Sequence, residues 1–307
     1  MSARLEFIFL IDLKAAFKSG EIIPKRRLGQ CFLTDRSVAE RIVNAIRLAP
    51  GDHVIEVGPG ACALTELLCE RSITVTAVEI DRRLKGIIGA AMSRYQNFNL
   101  IIDDIMKVPA DALASCAPAP WHPQPHHKAP KHPQPQRAIF VSNMPYYIST
   151  AIMTRLFEEF DFVSRAALMM QSEVAAKLLS APSSENYCML SVFAKSFGTL
   201  EKLFVVPPHC FAPQPGVEST VMLLEAHKPP LFANAGDKER YYKVVRAAFA
   251  RRRKTIANSL LFAGLAPSRR QADAAAEAAG IPSGARGESL CFYDFLKLAR
   301  AIANLAV

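Results

Sequence analysis

The residues best suited to chemistry lie in one short segment, Ser142-Asn143-Met144-Pro145-Tyr146-Tyr147, which follows an apolar run. Such a segment could act on the exocyclic nitrogen of an adenine. That nitrogen is a poor nucleophile because its lone pair is delocalised into the ring. The Asn143 side-chain oxygen and a main-chain carbonyl near Met144 or Pro145 can accept its hydrogens and favour a more tetrahedral, more nucleophilic nitrogen. Tyr146 offers a face on which an extruded base can stack. The segment therefore predicts Asn143, Pro145 and Tyr146 as catalytic residues acting on an adenine.

A second segment, Glu56-Val57-Gly58-Pro59-Gly60, joins a predicted buried strand to a predicted helix. Glycine lets the main chain approach a ligand, so this order of elements is typical of nucleotide-binding sites. Two later strands end in Glu79-Ile80-Asp81 and Asp103-Asp104. The first carboxylate can accept hydrogen bonds from ribose hydroxyls, and the second pair can accept one from an adenine amino group. These strand ends predict an adenosine-containing cofactor, either NAD(H) or S-adenosylmethionine.

A parallel sheet is needed to bring these segments together. Apolar strands at residues 53–57, 74–80, 99–102 and 138–141 alternate with helical patterns, as in α/β proteins with helices on both faces of the sheet. After residue 238 only helical patterns occur. We expect an N-terminal helix and basic arm over residues 1–27, a catalytic domain over 28–228 and a helical domain over 238–307. Residues 117–137, rich in proline and histidine, are expected to form an inserted loop.

The composition excludes a disordered or fibrous protein. The chain has 307 residues, half of them hydrophobic, and a formal net charge of +9, which favours a polyanionic partner. Its seven cysteines are scattered and never form a C-x-x-C pair, so reduced thiols in the cytoplasm are expected rather than disulfides or a zinc site. No metal is predicted, because no carboxylate or thiol accompanies the histidines of the inserted loop. No apolar run suits a membrane span.

Two basic segments predict contact with RNA. Residues 240–260 contain seven basic side chains and no acidic one, whereas a solvated helix face usually mixes both signs. The residues predicted to bind phosphates are Arg251, Arg252, Arg253 and Lys254, with a second patch at Lys25, Arg26 and Arg27.

The ordered set of segments resembles the rRNA adenine N6-dimethyltransferases, most closely those of the bacterial small-subunit (KsgA) type. The resemblance extends from about Leu13 to Ala303 and includes the two segments described above. The other matching segments are Leu28-Gly29-Gln30-Cys31-Phe32-Leu33, Val78-Glu79-Ile80-Asp81, Val206-Pro207-Pro208, Phe211-Ala212-Pro213-Gln214-Pro215 and Arg252-Arg253-Lys254-Thr255-Ile256-Ala257-Asn258-Ser259-Leu260. The family has a Rossmann-like methyltransferase domain followed by a small helical domain, and the resemblance implies the same fold here.

The resemblance also implies S-adenosylmethionine as the cofactor and assigns roles to individual residues. The implied cofactor-binding residues are Cys31, Leu33, Gly58, Gly60, Glu79, Asp104 and Asn143. Tyr146 matches the base-stacking tyrosine, and Phe211 is expected to flank the base from the other side. The sequence departs from the family pattern at Cys31 and Tyr147, where asparagine is usual, and at Met144, where leucine is usual.

The implied activity is dimethylation of two adjacent adenines in the 3′-terminal hairpin of 16S rRNA, within the small subunit or its precursor, by a monomeric cytoplasmic enzyme. One alternative is a large-subunit rRNA methyltransferase of the antibiotic-resistance type, against which the Arg252–Leu260 segment argues. Another is a non-catalytic assembly or transcription factor on the same fold, against which the intact Gly58, Glu79 and Tyr146 argue. An NAD oxidoreductase has less support, because the chain offers no comparable acid/base pair for hydride transfer.

Overall fold

The computed structural model describes residue 11 and residues 13–20, 22–25, 28–71, 73–115 and 138–305. The predicted inserted loop, as well as Arg26 and Arg27, lies outside the described residues. The strands are β1 (Phe32–Leu33), β2 (His53–Val57), β3 (Thr74–Glu79), β4 (Phe98–Ile102), β5 (Ala138–Asn143), β6 (Val163–Gln171), β7 (Gly198–Val206), β8 (Phe211–Ala212) and β9 (Ser219–Ala226). The helices are α1 (Leu13–Ser19), α2 (Arg36–Ala45), α3 (Ala63–Glu70), α4 (Lys85–Met92), α5 (Ala110–Ser115), α6 (Ser149–Glu159), α7 (Ser172–Leu179), α8 (Met189–Phe197), α9 (Ala235–Ala250), α10 (Ile256–Phe262), α11 (Arg269–Ala278) and α12 (Phe292–Leu305).

The main sheet of the described residues has seven strands in the order β4-β3-β2-β5-β6-β9-β7. Strands β4, β3, β2, β5 and β6 run parallel, whereas β9 pairs with β6 in the antiparallel direction. All five residues of β2 are buried, as expected for a parallel strand covered on both faces. The predicted α/β fold class is confirmed.

The strand order reverses at β2. One of its neighbours, β3, follows it directly in the chain, while the other, β5, comes after β4. The connections leaving β2 and β5 therefore diverge and leave a crevice outside their carboxyl ends, which is where ligands bind in open α/β sheets. The glycine turn follows β2, and Asn143 is the last residue of β5. The topology thus places the glycine turn and the segment after β5, which the sequence predicts to bind the cofactor and the adenine, at the same edge of the sheet.

A second, two-stranded sheet covers this crevice from one side. Strands β1 and β8 pair in the antiparallel direction, with Phe32 opposite Ala212 and Leu33 opposite Phe211. The Phe32 ring lies 6.1 Å from the Phe17 ring of α1, between ring centres. Helix α2 is capped by Asp35, whose carboxylate accepts a hydrogen bond from the Val38 amide at 3.1 Å.

The chain divides into two compact units. The first unit contains Met1–Ile152, Glu159–Ser172 and Glu201–Glu225, and the second contains Met153–Glu158, Glu173–Leu200 and Ala226–Val307. Helices dominate the second unit. In its core the Tyr242 hydroxyl donates to the Phe157 carbonyl at 2.8 Å, and the Tyr187 hydroxyl donates to the Leu290 carbonyl at 2.6 Å. The Phe193 ring packs edge-on against Tyr242, with 4.5 Å between ring centres.

Candidate active site

The turn after β2 exposes its main chain because two glycines adopt left-handed conformations. Gly58 has a φ of +73° and Gly60 a φ of +54°, values that strain other side chains. A Cβ atom on Gly60 would lie 2.9 Å from Cδ1 of Phe32. The Gly58 amide donates to the Val78 carbonyl at 2.9 Å, which fastens the turn to β3. Glycine is therefore required for the turn to pack under β1 and to leave its main chain open to a ligand.

A cleft lies beyond the carboxyl ends of the parallel strands, and the space between its walls, counting the solvent at its open side, is about 920 Å³. Nine predicted site residues line it: Cys31, Leu33, Gly58, Gly60, Glu79, Asp104, Asn143, Pro145 and Tyr146. Residues far apart in the sequence are thus brought to one place, while their individual roles stay predictions.

Glu79, at the end of β3, is held in a fixed position by main-chain donors. Its Oε2 accepts from the Gly60 amide at 3.3 Å and its Oε1 from the Asp81 amide at 2.8 Å. Burial raises the pKa of this carboxyl above its ordinary value, although the two amides oppose the change. The carboxylate is therefore oriented toward the glycine turn, next to the main chain that would face a nucleoside.

The acidic pair after β4 also lines the cleft. Asp104 Oδ1 accepts from the Met106 amide at 3.0 Å, and Asp103 Oδ1 accepts from the Asp104 amide at 2.7 Å. Both residues line the cleft, and Asp103 is the more exposed of the two. Glu79 and Asp104 thus stand at the ends of neighbouring strands, the arrangement expected for contacts to a ribose and an adenine.

Asp81 fastens the loop that enters the cleft, residues 28–31, hereafter the cleft loop. Its carboxylate accepts from Arg83 Nη2 at 2.6 Å, Gln30 Nε2 at 3.2 Å and Lys25 Nζ at 3.4 Å. The Arg83 guanidinium holds the pKa of Asp81 well below its usual range. Gln30 Oε1 in turn accepts from the Lys25 amide at 2.8 Å. The side chain of Lys25, predicted to bind RNA, is therefore engaged with a carboxylate in this structure.

The cleft loop also fixes Asn143. The side-chain nitrogen of Asn143, Nδ2, donates to the Cys31 main-chain carbonyl at 3.1 Å. This leaves the side-chain oxygen, Oδ1, as the atom that can accept from a substrate. The loop approaches closely at Gly29, whose φ is +57°; a Cβ atom there would lie 3.2 Å from the Tyr146 amide nitrogen. Cys31 thus contributes through its main chain, and the absence of an asparagine side chain does not affect this contact.

Tyr146 stands at the rim of the cleft with its hydroxyl fixed. That hydroxyl shares a hydrogen bond of 2.7 Å with the Ser219 hydroxyl of β9. Burial raises the pKa of the phenol, so it stays protonated near neutral pH. Tyr147, next in the chain, is 48% exposed. The geometry suits Tyr146 to a stacking role and not to proton abstraction.

Phe211 is not positioned as the sequence led us to expect. Its side chain is 2% exposed and belongs to the hydrophobic core, where β8 pairs with β1. It is not among the residues that line the cleft. A side chain in a two-residue strand has no periodicity from which its burial could be predicted, and its contact with a base would require the ring to leave the core.

The charge around the basic segment of the second unit is more mixed in the structure than along the sequence. Arg240 lies 3.1 Å from Asp237, Lys243 lies 2.7 Å from Glu239, and Arg246 lies 2.6 Å from Glu158, each between charged side-chain atoms. The segment has no acidic residue of its own, but these three of its seven basic side chains are paired with acids in the structure. The partners come from just before the segment or from α6, outside the sequence window.

The residues predicted to bind phosphates are more accessible. Arg251, Arg252, Arg253 and Lys254 are all exposed. Arg252 Nη2 lies 3.6 Å from a Glu288 oxygen and donates to the Tyr187 carbonyl at 3.3 Å. No ion pair involves Arg251, Arg253 or Lys254 among the described residues. These three cations are available to a polyanion.

No helix of the described residues is long and apolar enough to cross a membrane. In the same part of the chain, no group of three or more histidine, cysteine or acidic side chains is arranged to hold a metal ion. The four histidines of the predicted inserted loop lie outside the described residues.

Residues 24–302 match the model of the ribosomal RNA adenine dimethylase family. The chain belongs to this family. It is accordingly a methyltransferase whose cofactor is S-adenosylmethionine, and the predicted family is confirmed.

Relatives of this dimethylase cover almost the whole chain. It is 34% identical over 292 residues to the ribosomal RNA small subunit methyltransferase A of Clostridium acetobutylicum, covering 93% of this chain and 98% of the relative. It is 35% identical over 288 residues to the protein of the same name from Geobacter metallireducens, with the same coverage. The structure of the 23S rRNA methyltransferase ErmE is similar, with a TM-score of 0.59, 27% identity and coverage of 89% of this chain and 99% of that one. A dimethyladenosine transferase from Plasmodium falciparum, at 21% identity, shares the fold with a TM-score of 0.68 over 90% of this chain and 98% of its own.

The cleft of the dimethylase fits S-adenosylmethionine on one further observation. Glu56, at the floor of the cleft, is 1% exposed, and its Oε2 has no hydrogen-bond partner among the described residues. Burial raises its pKa to about 8, and the charge of Glu79 adds to the effect. The unpartnered oxygen of this carboxyl, beside a turn of bare main chain, can accept a hydrogen bond from a donor of the cofactor such as its ammonium group.

Three contributors to the dimethylase cleft were not predicted as site residues from the sequence. Glu56 was seen only as part of the glycine motif, Asp81 only as a strand end, and Ser219 not at all. The buried position of Glu56 within an apolar strand is a signal that could have singled it out. The contacts of Asp81 with the cleft loop and of Tyr146 with Ser219 depend on tertiary packing and leave no local pattern.

Proposed function

We propose that the protein transfers methyl groups from S-adenosylmethionine to N6 of two adjacent adenines in the 3′-terminal hairpin of 16S rRNA, giving N6,N6-dimethyladenosines during assembly of the small subunit. The observation that carries the proposal is the hydrogen bond from Asn143 to the Cys31 carbonyl. This hydrogen bond uses the side-chain nitrogen of Asn143 and leaves its side-chain oxygen as the available acceptor at the end of β5, between the glycine turn and Tyr146.

The proposed chemistry depends on acceptors and not on a strong base. The cofactor, when bound, supplies an already activated methyl group on its sulfonium. Asn143 Oδ1 would accept one N6 hydrogen. The Pro145 carbonyl already accepts from the Ile148 amide at 3.1 Å, so we assign the second acceptor to the Met144 carbonyl. Such contacts orient the nitrogen lone pair and restrict the amino group, which lowers the entropic part of the barrier.

The stacking residue is assigned to Tyr146. Its ring position is fixed through Ser219, so less side-chain freedom is lost when a base stacks on it. Stacking of one base on an aromatic side chain contributes about 1–3 kcal/mol. The Pro145 ring lies near Gly58, since a Cβ atom on that glycine would be 3.7 Å from Pro145 Cγ. Pro145 would thereby hold the catalytic segment at a fixed height above the glycine turn.

The small subunit is proposed as the substrate in preference to the large one. The relatives named for the small subunit are 34% and 35% identical to this chain, whereas the 23S rRNA methyltransferase is 27% identical. The exposed cations Arg251, Arg253 and Lys254 provide the phosphate contacts that either rRNA requires.

We further propose that the enzyme acts as a monomer in the cytoplasm. The six described cysteines form no disulfide, which agrees with a reducing compartment. Light scattering after gel filtration tests the oligomeric state, and a stable dimer would contradict this part of the proposal.

The decisive experiment incubates the protein and labelled S-adenosylmethionine with small ribosomal subunits and, separately, with large ribosomal subunits. Both come from a strain that lacks adenine N6-methylation of the small-subunit and the large-subunit rRNA. We expect label at two adjacent adenines near the 3′ end of 16S rRNA. Asn143→Ala should lower the rate at least about 100-fold, comparable to the loss of one well-placed polar group in an active site. Asn99→Ala, at the exposed position of β4, serves as the matched control. Labelling of the large subunit alone would refute the proposed substrate, and full activity of Asn143→Ala would refute the assigned acceptor.

A further inference from the structure

An exposed aromatic side chain ends α10 in the second unit. Phe262 is 58% exposed, and the preceding residue, Leu261, is 37% exposed. Single exposed apolar residues are common, so exposure by itself indicates nothing. Phe262 differs in its partner: the Arg251 guanidinium carbon lies 4.1 Å from the centre of its ring. One face of the ring is thus covered by a planar cation, while the exposed fraction of the side chain leaves the other face accessible.

The surroundings of this pair are cationic. Arg251, Arg253 and Lys254 directly precede α10, and none of them has an ion-pair partner among the described residues. Lys254 and Arg251 are joined across a tight turn by a main-chain hydrogen bond of 2.8 Å. Helix α10 has seven residues, so it is about 10 Å long. Phe262 therefore lies only about two helical turns beyond the cationic turn, and the Arg251 side chain reaches its ring.

The combination selects the class of ligand. A flat apolar ring covered on one side by guanidinium suits a second flat, polarisable group, and the neighbouring cations suit an anion. An unpaired nucleotide carries both, because its base stacks on aromatic and guanidinium planes and its phosphate binds arginine and lysine. An acidic protein segment would satisfy the cations but would leave the ring without a stacking partner.

We propose that Phe262 and Arg251 form a stacking platform for one unpaired base of the rRNA, with Arg253 and Lys254 binding the adjacent phosphates. This inference rests on the proposed function, because it assumes an rRNA substrate. It adds a contact that lies outside the cleft and that reads an unpaired nucleotide, whereas Tyr146 stacks on the adenine that reacts.

The test compares binding of wild type and variants to unmethylated small subunits over a range of salt concentrations. Phe262→Ala and Phe262→Leu should weaken binding about tenfold, whereas Phe262→Trp, which keeps a stacking ring, should bind within about twofold of wild type. The salt dependence should stay unchanged in all three, since no charge is lost. Arg253→Ala should instead reduce the slope of log K against log salt by about one.

A matched control is Tyr293→Ala. Tyr293 is an aromatic residue of the same unit, 55% exposed, and its ring packs against Phe292 instead of a cation. Its loss should leave binding unchanged. Circular dichroism and cofactor affinity report whether each variant is folded, because Phe262 lies outside the cleft.

The outcomes separate the platform from the proposed function. If wild type binds and methylates small subunits but Phe262→Ala binds equally well, the platform is wrong and the proposed function stands. If Phe262→Leu keeps full affinity, the contact is apolar and not stacking, which also overturns it. If Phe262→Ala binds intact subunits more weakly than wild type but binds protein-free 16S rRNA equally well, the surface contacts a ribosomal protein and the inference is wrong. If wild type binds neither, the proposed function itself fails.

Discussion

Replacement of Glu56 by glutamine should change how the stability of the protein depends on pH. Glu56 is 1% exposed, and its pKa is raised from 4.5 to about 8 because burial penalises the charged form. The native state therefore holds a proton on this residue at pH values where the unfolded chain has released it. Glutamine has nearly the same shape and stays neutral at every pH, so the variant isolates this single ionisation.

The sign and size follow from linkage. Between pH 4.5 and about 8 the native state binds more protons than the unfolded state, so the contribution of Glu56 to the free energy of unfolding falls as pH rises. The slope is about 1.4 kcal/mol per pH unit, and the whole effect is roughly 5 kcal/mol. Glu56→Gln removes this pH-dependent fall in the free energy of unfolding. Relative to wild type, the variant should gain stability steadily from pH 5 to pH 8 and no further above it.

Urea unfolding of the cofactor-free protein, followed by circular dichroism at several pH values, measures this difference. A glutamine amide in place of the carboxyl can cost about 1–3 kcal/mol where its hydrogens lack acceptors, but that cost is the same at every pH. The diagnostic quantity is therefore the change in the difference between variant and wild type, and not the difference at one pH.

Two other features define the control. His53 is also buried, and its pKa is lowered to about 4 by burial, so it reduces stability as pH falls below its ordinary value of 6.5. This effect is common to both proteins and cancels. Glu201→Gln, at an exposed position of β7, should leave the pH dependence of wild type unchanged. Parallel stability curves for wild type and Glu56→Gln would refute the assignment of a neutral carboxyl at the cleft floor.

Three further predictions concern the cleft and the basic segment. Asp81→Asn removes the charge that fastens Lys25 and Gln30, so tryptic cleavage before the cleft loop should become about tenfold faster, equivalent to about 1.4 kcal/mol; unchanged cleavage would contradict it. Charge reversal at Arg252 and Arg253 should weaken binding to small subunits while cofactor affinity, measured by calorimetry, is retained; unchanged binding at moderate salt would count against this RNA surface. Cys31→Ser keeps the main-chain carbonyl, so methyl transfer should stay within about twofold of wild type, and a large loss would show that the thiol itself matters.

Asp81→Asn and the charge reversal at Arg252 and Arg253 each have a matched control. Asp111→Asn, at an exposed position in the first turn of α5, should leave tryptic cleavage unchanged. Paired charge reversal at Arg240 and Lys243, which already face Asp237 and Glu239, should reduce subunit binding less than reversal at Arg252 and Arg253.

The parallel strands could be predicted from the sequence because each is a short apolar run next to a turn or a helical pattern. Strand β2 and helix α3 flank the glycine turn as predicted, and Asn143 ends β5 as predicted. The small sheet of β1 and β8 was not predicted, since strands of two residues have no period. Helix α8 was also missed: six of its nine residues are buried and none is fully exposed, so no polar face marks a helical repeat.

The electrostatic predictions were limited for a different reason. Charge counted along residues 240–260 ignores side chains that arrive from elsewhere. Glu158 lies 88 residues before its partner Arg246, and no property of the local sequence indicates that contact. Gln30 and Asp81 are likewise 51 residues apart. Sequence patterns indicate which residues share a strand end or a helix, whereas ion pairs between distant elements depend on packing.

The departure of this chain from the family pattern at position 31 is accounted for by main-chain geometry. Asn143 is oriented by a carbonyl, and every residue type carries that group. What position 31 requires is a fixed main chain, and its neighbours provide it: Gly29 allows close packing on the turn after β5, and Gln30 is held by Asp81. A cysteine in place of asparagine therefore removes at most a side-chain contact with the cofactor. The constraint on catalytic geometry falls instead on Gly29, Gln30 and Asp81.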